Sequence, residues 1–310
     1  DLNDISLFGP SLPRNPRLKY SYNAEFLPEG RVLLLSEKGS ALLTPNRLYR
    51  DILLLIREDG VTLNALVAQL EDKYSLLDII GAIKKLETDG LITEAAPDLP
   101  PGESAYWSNA GIHPSALIKI LGEKEVSLEF LGDFDRDIFY RALERCRVNT
   151  GPEGALRVVV VSDYQQPGLE EMNRRALDTG QPWMPVKPHG VETWIGPVFR
   201  PGHGGCWECL NRRLSNNRPV NTFYRHQKGT GDLPPVPDAV LPASLEVAAN
   251  MTALEIVKWL CDADKSPVNG HLLAYDSFSA ATRRHVLVQR PQCPVCGGDD
   301  VIKPAPLKPV

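Results

Sequence analysis

Residues 196–214 read GPVFRPGHGGCWECLNRRL and contain Cys206 and Cys209, which are separated by two residues. A second pair with the same spacing, Cys293 and Cys296, lies near the C-terminus in QCPVCGG. Two C-x-x-C pairs are the ligand set of a tetrahedral four-cysteine zinc site, because residues three apart in one turn can direct two thiolates at one ion. The alternative, two unrelated pairs of buried cysteines, does not explain the identical spacings. The sequence therefore predicts that these four cysteines bind one zinc ion.

The zinc is predicted to have a structural role. Four thiolates leave no open coordination position for a catalytic water. Since 83 residues separate Cys209 from Cys293, the metal would join two distant parts of one domain. Gly297 and Gly298 would let the backbone curl beneath the sulfurs. His203 is an alternative ligand, but four cysteines already fill the site, and an exposed loop histidine is the simpler interpretation.

The composition limits the classes of protein to consider. With 310 residues, of which 43% are apolar, the chain can form two domains with substantial cores. Its net charge of −5, with both signs spread along the chain, argues against nucleic-acid binding, which needs a basic face. The sequence has no long apolar run and no signal-peptide pattern, so we expect no membrane span and no membrane partner. Metal-type cysteine spacing without a disulfide framework predicts a reducing, cytoplasmic setting, with Cys146 and Cys261 as buried thiols.

Proline and glycine content and hydrophobic periodicity divide the chain into five predicted segments. A polar arm with three prolines comes first and is expected to be flexible. Two compact domains follow, joined by a linker rich in proline and glycine, and a Pro-rich tail comes last. The predicted segments are 1–19 (arm), 20–96 (first domain), 97–124 (linker), 125–302 (second domain) and 303–310 (tail).

The first domain is predicted to contain a small sheet followed by three helices. Strand patterns occur at 20–26, 31–35 and 40–43. Thr44 is a favourable N-cap for the first helix, with Pro45 at its first position. Thr62 and Ser75 cap the next two helices, and each helix carries an apolar stripe. Three helices after a small sheet are typical of a winged helix-turn-helix unit.

Such units often bind DNA, so the charge of the third helix matters. A recognition helix presents Arg, Lys, Asn or Gln to the groove. The third helix offers Lys84 and Lys85 but also Asp78, Glu87 and Asp89. The acids favour a peptide-binding or purely structural role, and we expect no nucleic-acid partner.

The second domain has the pattern of an α/β fold. Residues 156–161 read LRVVVV, a continuous apolar strand of the kind found in buried parallel sheets. Residues 215–240 are polar and Pro-rich and predict a long loop. The other predicted strands are 126–131, 183–186, 193–199, 271–275 and 285–289. The predicted helices are 138–146, 169–179 and 244–261.

Several motifs of the second domain resemble one known family. The apolar strand ends in Ser162-Asp163 and is followed by a helix. The motifs that come next are W-x-x-V-K (183–187), W-I-G-P-V-F (194–199), P-G-x-x-G-C-W-x-C-L (201–210), A-x-E-I-x-K-W (253–259) and C-P-x-C-G (293–297). They resemble the E1-like (ThiF-like) zinc domain of azoline-forming cyclodehydratases, which make thiazole/oxazole-modified ribosomal peptides. The match is to the N-terminal half of cyanobactin-type heterocyclases, without the YcaO domain.

This resemblance implies a fold and a function. The fold is an α+β winged helix-turn-helix peptide-binding unit (20–96), followed by an α/β E1-like (Rossmann-related) domain with a four-cysteine zinc site (125–302). The first unit, a RiPP recognition element, would bind the leader of a precursor peptide. The second would present that peptide to a YcaO-type cyclodehydratase, either a separate protein or a fused domain. The YcaO partner would use ATP and Mg²⁺ to convert Cys, Ser or Thr to azolines. No active site is expected in this chain, and a homodimer is compatible with the resemblance.

Two other functions, each from a different class of protein, are alternatives to this one. An E1-like adenylyltransferase acting on a carboxylate needs a G-x-G-x-x-G turn after its first strand. Here that strand is followed by residues 132–135, Gly-Asp-Phe-Asp, whose acids would repel phosphate. Asp163 matches the position of a magnesium-site aspartate in adenylating relatives, although a cap at the strand's end explains it as well. A zinc-containing winged-helix regulator is the other alternative.

The resemblance also implies where a leader peptide binds. The edge of a small sheet offers unpaired N–H and C=O groups, to which a peptide can add a strand. The short stretch Ser40, Ala41, Leu42 and Leu43 is the best candidate for that edge. The third helix would lie beside it. Leu76, Leu77 and Lys84 lie off the core-facing stripe of this helix and are predicted to form the groove wall, where Lys84 would meet an acidic leader residue.

Overall fold

A computed structural model describes residues 12–57, 60–96, 98–229 and 239–297. The chain divides into two compact units, Asp1–Lys119 and Ile120–Val310. Within the described ranges, no helix combines the length and the apolar character needed to cross a bilayer. Residues 1–11 of the predicted arm, Gly298 and the predicted tail 303–310 lie outside the described residues.

The first unit contains a small sheet followed by helices. The elements in chain order are β1 (Pro16–Leu18), β2 (Asn23–Phe26), β3 (Val32–Ser36), β4 (Gly39–Leu43), α1 (Arg47–Leu55), α2 (Leu63–Leu70), α3 (Leu76–Thr88), β5 (Ile92–Glu94), α4 (Pro101–Asn109) and α5 (Pro114–Glu123), whose last turn belongs to the second unit. Strands β2, β3 and β4 form an antiparallel sheet with β3 in the middle. Strands β2, β3 and β4 and helices α1, α2 and α3 are the ones that the sequence predicts, while their assignment to a winged-helix unit stays a prediction.

Local capping explains where the helices begin. The side-chain oxygens of Thr62 and Ser75 accept hydrogen bonds from the N–H groups two or three residues into α2 and α3, which confirms both predicted caps. The prediction for α1 was wrong by two residues. Asn46, rather than Thr44, is the N-cap, because its Oδ1 accepts a hydrogen bond from the N–H of Tyr49 at 3.1 Å.

The apolar stripes of the three helices form the core of this unit. The predicted inward residues of α2 and α3 are all buried, as are the strand residues Val32 and Leu34. The residues that pack together from the helices include Ile52, Ile56, Leu63, Leu66, Val67, Leu70, Ile79, Ile80, Ile83 and Leu86. The helical period of 3.6 residues therefore identified most of the helix residues of this core, although it missed the buried Leu53 of α1.

Residues 12–19 are not a flexible arm, and this part of the prediction was wrong. Residues 16–18 form β1, which pairs antiparallel with β5, and Leu18 is buried. The carboxylate of Glu94 also accepts hydrogen bonds from the backbone N–H groups of Arg14 and Asn15 at 2.6 and 3.1 Å. Pro16 suits this edge strand because it needs no ladder hydrogen bond.

The predicted linker, 97–124, is also more ordered than expected. Two helices, α4 and α5, occupy most of its described residues. Prolines at the first turn of each helix fix φ near its helical value and lose no hydrogen bond there. Trp107, on α4, is buried. The composition misled the prediction because prolines at helix starts and prolines in linkers look alike in sequence.

The second unit is built on one mixed sheet. The elements in chain order are β6 (Glu125–Leu131), α6 (Arg136–Arg145), β7 (Asn149–Thr150), β8 (Leu156–Val161), α7 (Leu169–Thr179), β9 (Trp183–Lys187), β10 (Glu192–Ile195), α8 (Trp207–Asn217), α9 (Pro219–Lys228), α10 (Pro242–Cys261), β11 (His271–Asp276) and β12 (Ala281–Val286). The strand order is β12-β11-β10-β9-β8-β6-β7. Three pairs are parallel, namely β7 with β6, β6 with β8, and β8 with β9. Three pairs are antiparallel, namely β9 with β10, β10 with β11, and β11 with β12.

The apolar strand β8 lies inside this sheet, between β6 and β9. Five of its six residues are buried, which confirms the buried parallel strand predicted from LRVVVV. The carboxyl ends of β6 and β8 lie next to each other, since Leu131 pairs with Val161. In open α/β sheets this edge is where ligands bind.

Two predicted elements of the second unit were wrong. The stretch 215–240 is not one long loop, since α8 continues to Asn217 and α9 spans Pro219–Lys228. Residues 230–238 lie outside the described residues. The last strand runs from 281 to 286 rather than from 285 to 289, because it pairs with β11 over its whole length.

Candidate metal centre, peptide surface and nucleotide position

The four predicted metal ligands come from two segments of the second unit. Cys206 is the N-cap residue of α8, and Cys209 lies in its first turn. Cys293 and Cys296 lie in the turns that follow β12. The four sulfur atoms lie within 4.8 Å of one another. The structure therefore brings all four predicted cysteines together.

Their separations fit a zinc ion. The Sγ atoms of Cys206 and Cys293 are 3.7 Å apart, and those of Cys209 and Cys296 are 3.5 Å apart. In a regular tetrahedron with Zn–S bonds of about 2.3 Å, neighbouring sulfurs lie about 3.8 Å apart. All four are free cysteines rather than disulfides. The donor set and its dimensions therefore suit a four-thiolate zinc site.

Burial opposes ionisation of two of the four sulfurs, those of Cys206 and Cys209. Burial raises the pKa of Cys206 well above its usual value and raises the pKa of Cys209 to about 11. Burial also acts against ionisation of Cys293, but the N–H groups of Cys296 and Val295 outweigh it and lower the pKa of Cys293 to about 7. A bound divalent metal would stabilise the thiolates that burial otherwise disfavours.

Two glycines allow the cysteine segments to pack closely. A Cβ atom at Gly297 would lie 2.5 Å from the carbonyl oxygen of Cys293 and 2.7 Å from that of Pro291. A Cβ atom at Gly205 would lie 3.0 Å from Cγ of Leu287. Any larger residue at position 297 would push the second cysteine turn out of place.

Hydrogen bonds from the segment before the second turn also hold the sulfurs. The N–H of Arg290 donates to Sγ of Cys209 at 3.3 Å, and Nε2 of Gln289 donates to the carbonyl oxygen of Cys296 at 2.6 Å. His203 is exposed and is not part of the ligand cluster found among the described residues. The geometry thus favours four cysteines over a histidine ligand.

The predicted peptide-binding strand is β4, which lies at an edge of the three-stranded sheet. Ser40, Ala41 and Leu42 are exposed, with 55% of Leu42 accessible, while Leu43 is half-buried against the core. An exposed leucine on an edge strand is a suitable contact for an added strand. Whether a peptide binds there stays a prediction.

The predicted groove residues of α3 are accessible to different degrees. Leu76 and Leu77 are exposed, with accessible fractions of 47% and 73%. Lys84 is half-buried. Burial raises the pKa of Glu87 on the same helix, and the positive charge of Lys84 nearby opposes that rise. Helix α3 packs against α1, α2 and β5. Both α3 and β4 contribute to the same core, but a groove between them is a proposal.

The turn after β6, where E1 enzymes hold phosphate, is filled by a side chain. Gly132 has φ +138°, and a Cβ atom there would lie 2.9 Å from Cε2 of Phe134. Phe134 is buried, and its ring lies 4.8 Å from that of His189, centroid to centroid. The glycine therefore makes room for an aromatic ring packed over the strand end.

The carboxylate of Asp163 is held by an ion pair. Nη1 of Arg218 donates to its two oxygens at 2.8 and 3.1 Å. Oδ1 of Asp163 also accepts a hydrogen bond from the N–H of Gln165 at 2.8 Å. The aspartate caps a turn after β8, while the N-cap residue of α7 is Gly168. Arg218 thus neutralises the carboxylate of Asp163.

Sequence reasoning missed the polar cluster around this ion pair. The guanidinium of Arg218 lies 5.7 Å from the ring centroid of Trp194, as does Nζ of Lys187. Lys187 donates to two backbone carbonyls, and burial lowers its pKa while the charges of Asp163 and Glu192 oppose that shift. Lys187 and Trp194 belong to the quoted motifs. Arg218 was missed because the segment around it was predicted to be a loop.

Solved structures of heterocyclases are similar to this chain over most of its length. A heterocyclase in complex with substrate and cofactor is 32% identical, matches with a TM-score of 0.82 and covers 92% of this chain. The structure of the heterocyclase TruD gives the same identity, TM-score and coverage. The chain spans only 40% and 43% of the length of these two proteins.

More distant proteins share the fold or part of the sequence. Escherichia coli MccB, an E1-like enzyme solved with ATP, covers 92% of this chain and is matched over all of its own length, with a TM-score of 0.57 at 12% identity. This match concerns the fold alone. A sulfur carrier protein adenylyltransferase of Thermus thermophilus is 38% identical over 113 residues, which is 35% of each chain. No family model matches the sequence.

Proposed function

We propose that this chain binds the leader of a ribosomal precursor peptide and presents the peptide to a YcaO-type partner for ATP-dependent azoline formation. The observation that carries the proposal is the 32% identity to a heterocyclase with bound substrate and cofactor, which extends over 92% of this chain. The chain corresponds to less than half of that protein, so the chemistry is assigned to a partner protein or domain.

The first unit is assigned the leader-binding role, as a winged-helix unit. Its three-stranded sheet is followed by three helices, and β4 is an edge strand. Leu42, Leu76 and Leu77 are large apolar side chains that this unit leaves exposed on β4 and α3. A peptide that adds a strand to β4 could cover these leucines and gain main-chain hydrogen bonds.

The second unit is assigned a scaffold role rather than a catalytic one. Phe134 fills the turn after β6, and Arg218 neutralises Asp163 at the end of β8. Neither position is prepared for phosphate or magnesium. Zinc held by the four cysteines would fix the start of α8 to the segment after β12, and thereby stabilise the scaffold.

Binding without chemistry is sufficient to control the reaction rate. A bound leader turns the encounter between core peptide and catalyst into an intramolecular event. The local concentration of the core then depends on the linker rather than on the bulk solution. This explains how a component without its own active site can set the rate of the partner.

The test is a fluorescence polarisation titration with a labelled leader peptide from a cyanobactin-type precursor. We expect Leu42→Asp to weaken binding at least about tenfold, or about 1.4 kcal/mol, because a charge replaces the apolar contact at the edge. The matched control is Leu54→Asp on α1, where the leucine is also exposed but does not belong to the predicted groove. Zinc content and far-UV circular dichroism should be unchanged in both.

Equal leader affinity for wild type and Leu42→Asp would place the groove elsewhere, and no affinity of the wild type for any such leader would reject the proposed function. The second candidate is an E1-like adenylyltransferase, which the match to the Thermus thermophilus enzyme favours. The nucleotide-binding measurement described in the Discussion distinguishes the two.

A further inference from the structure

A cleft in the second unit has no role in the function proposed above. Its volume is about 610 Å³, and it is lined by residues of α8 and β12 together with the neighbouring strands. Trp194, Leu214 and Val286 supply apolar surface. Three arginines also line it, namely Arg213, Arg218 and Arg284. The cleft thus combines apolar walls with positive charge.

The positive charge is only partly balanced. Neither Asp nor Glu is among the lining residues. Arg218 pairs with Asp163, and Arg213 donates one hydrogen bond to the carbonyl of Val288 at 3.2 Å. Over the described ranges, neither Arg213 nor Arg284 has a carboxylate partner within ion-pair distance.

The surrounding sequence extends this charge. The segment 200–229 contains Arg or Lys at six positions and a single acid, Glu208, although the whole chain has a net charge of −5. The segment 281–290 adds three arginines and no acid. Two of these arginines are paired, Arg200 with Asp264 and Arg218 with Asp163. Local positive charge on an acidic protein attracts and orients negatively charged partners.

One wall of the cleft is the edge of the large sheet. Strand β12 pairs with β11 on one side, and no strand in the described part of the chain pairs with its other side. Val286 and Val288, at and just beyond its end, are 58% and 56% exposed. Such an edge has backbone N–H and C=O groups to offer to an extended peptide.

We propose that this cleft is a second peptide-binding site, which takes an acidic segment in extended conformation along β12. Its acidic side chains would face the cleft and contact Arg213 and Arg284, which line it. A strand edge selects a polypeptide over a nucleic acid, because only a polypeptide can continue the ladder of main-chain hydrogen bonds. The site lies in the second unit and does not depend on leader binding by the first.

The probe for the test is a fluorescein-labelled decapeptide of alternating Asp and Val, titrated with the full chain in a fluorescence polarisation experiment. Saturable binding is expected, and it should weaken as salt is raised because the contacts are ionic. A decapeptide of alternating Lys and Val is the charge control. A third peptide, the Asp-Val peptide with alternate backbone nitrogens methylated, cannot pair with a strand edge and should bind at least about tenfold more weakly.

Variants of the protein locate the site. Arg213→Glu and Arg284→Glu should each weaken binding of the Asp-Val peptide at least about tenfold. The matched control is Arg212→Glu, which makes the same charge change at the preceding residue of α8, because Arg212 is not among the residues that line the cleft. Arg213→Gln removes the charge and retains hydrogen-bond donors, so it should also weaken binding even if Arg213→Glu fails to fold. Zinc content and circular dichroism serve to verify the fold.

Four results would overturn the proposal. The first is that Arg213→Gln and Arg284→Glu bind the Asp-Val peptide as tightly as wild type does. The second is that Leu42→Asp loses as much affinity for this peptide as the arginine variants do, which would assign the peptide to the leader surface. The third is stronger binding of a single-stranded oligonucleotide than of the Asp-Val peptide at the same salt. The fourth is a wild-type dimer in light scattering that dissociates in Arg284→Glu, because a second copy would then occupy the cleft.

Discussion

Cys206 contributes to the second unit in two ways. Its sulfur lies 3.7 Å from that of Cys293, and its carbonyl oxygen accepts a hydrogen bond from the N–H of Cys209 at 3.1 Å as α8 begins. A metal bound at this residue would therefore couple the start of a helix to a segment that lies 87 positions away in the chain. Removing the sulfur of Cys206 would therefore disturb both the start of α8 and the segment around Cys293.

We expect Cys206→Ser to abolish zinc binding and to lower the thermal midpoint of the second unit by about 10 °C, which corresponds to roughly 3 kcal/mol for a unit of this size. Metal analysis and calorimetry measure both effects. Cys261→Ser is the matched control, because Cys261 is half-buried at the end of α10 and does not belong to the ligand cluster. Wild-type protein purified without chelators and free of zinc would contradict the assignment.

Single residues differ in how far the sequence predicts them. The cysteines were predictable because a fixed spacing is a local feature with one chemical meaning. The role of Arg218 was not, since its partner Asp163 lies 55 positions earlier and only the fold brings them together. The turn at Gly132 was predicted to repel phosphate because acids follow it, whereas only the structure shows that the ring of Phe134 lies against this glycine.

At the scale of elements, α3 has two different sides. One side carries Ile79, Ile83 and Leu86, which are fully buried, and the other carries Leu77 and the half-buried Lys84. A helix that packs on one side and exposes leucine on the other has an apolar surface available for a partner. We proposed above that this partner is a leader peptide lying along β4.

Lys84→Glu should weaken leader binding at least about tenfold, because the variant would repel an acidic leader residue. Lys85→Glu is the matched control on the same helix, where the lysine is exposed and pairs with Asp89 at 2.6 Å. Titrations of both variants with the same labelled leader give the comparison. Wild-type affinity in Lys84→Glu, or equal loss in both variants, would remove Lys84 from the groove.

Helices and strands were predictable where the contacts that form them join residues close together in the sequence. The caps of α2 and α3 were predicted because a hydroxyl and a backbone N–H within three residues are enough to form them. Strand β1 was missed because its partner β5 lies at the other end of the unit, so nothing local indicates it. Helix α9 was missed for a different reason. Its segment was interpreted as a loop because it is polar and Pro-rich, although Val220, Phe223 and Tyr224 recur at helical spacing.

At the scale of the whole molecule, the division into two units was suggested by composition, but the sheet order was not. Alternation and apolar runs predicted most strands of the second unit, whereas the antiparallel addition of β10, β11 and β12 to a parallel sheet depends on long-range pairing. The relatives with this fold include an enzyme solved with ATP, so the fold alone does not determine whether a nucleotide binds.

We expect the full chain to show no saturable heat of ATP binding in titration calorimetry with Mg²⁺ present. The physical reason is that Phe134 occupies the turn after β6 and Arg218 neutralises Asp163. A related E1-like protein that binds ATP serves as the positive control. Micromolar affinity, about 8 kcal/mol, that is lost in Asp163→Ala would instead support the adenylyltransferase alternative.

The pairing of β1 with β5 has a further consequence for how the first unit can be handled as a module. Pro16 lies opposite Glu94, so the part of this unit from β1 to β5 begins and ends at neighbouring points. Domains whose ends meet in this way can be grafted into a host loop or circularly permuted without stretching their core. We therefore expect that a cassette of residues 12–96 could be transferred to another protein through one short junction, and that the proposed peptide surface on β4 and α3 would move with it.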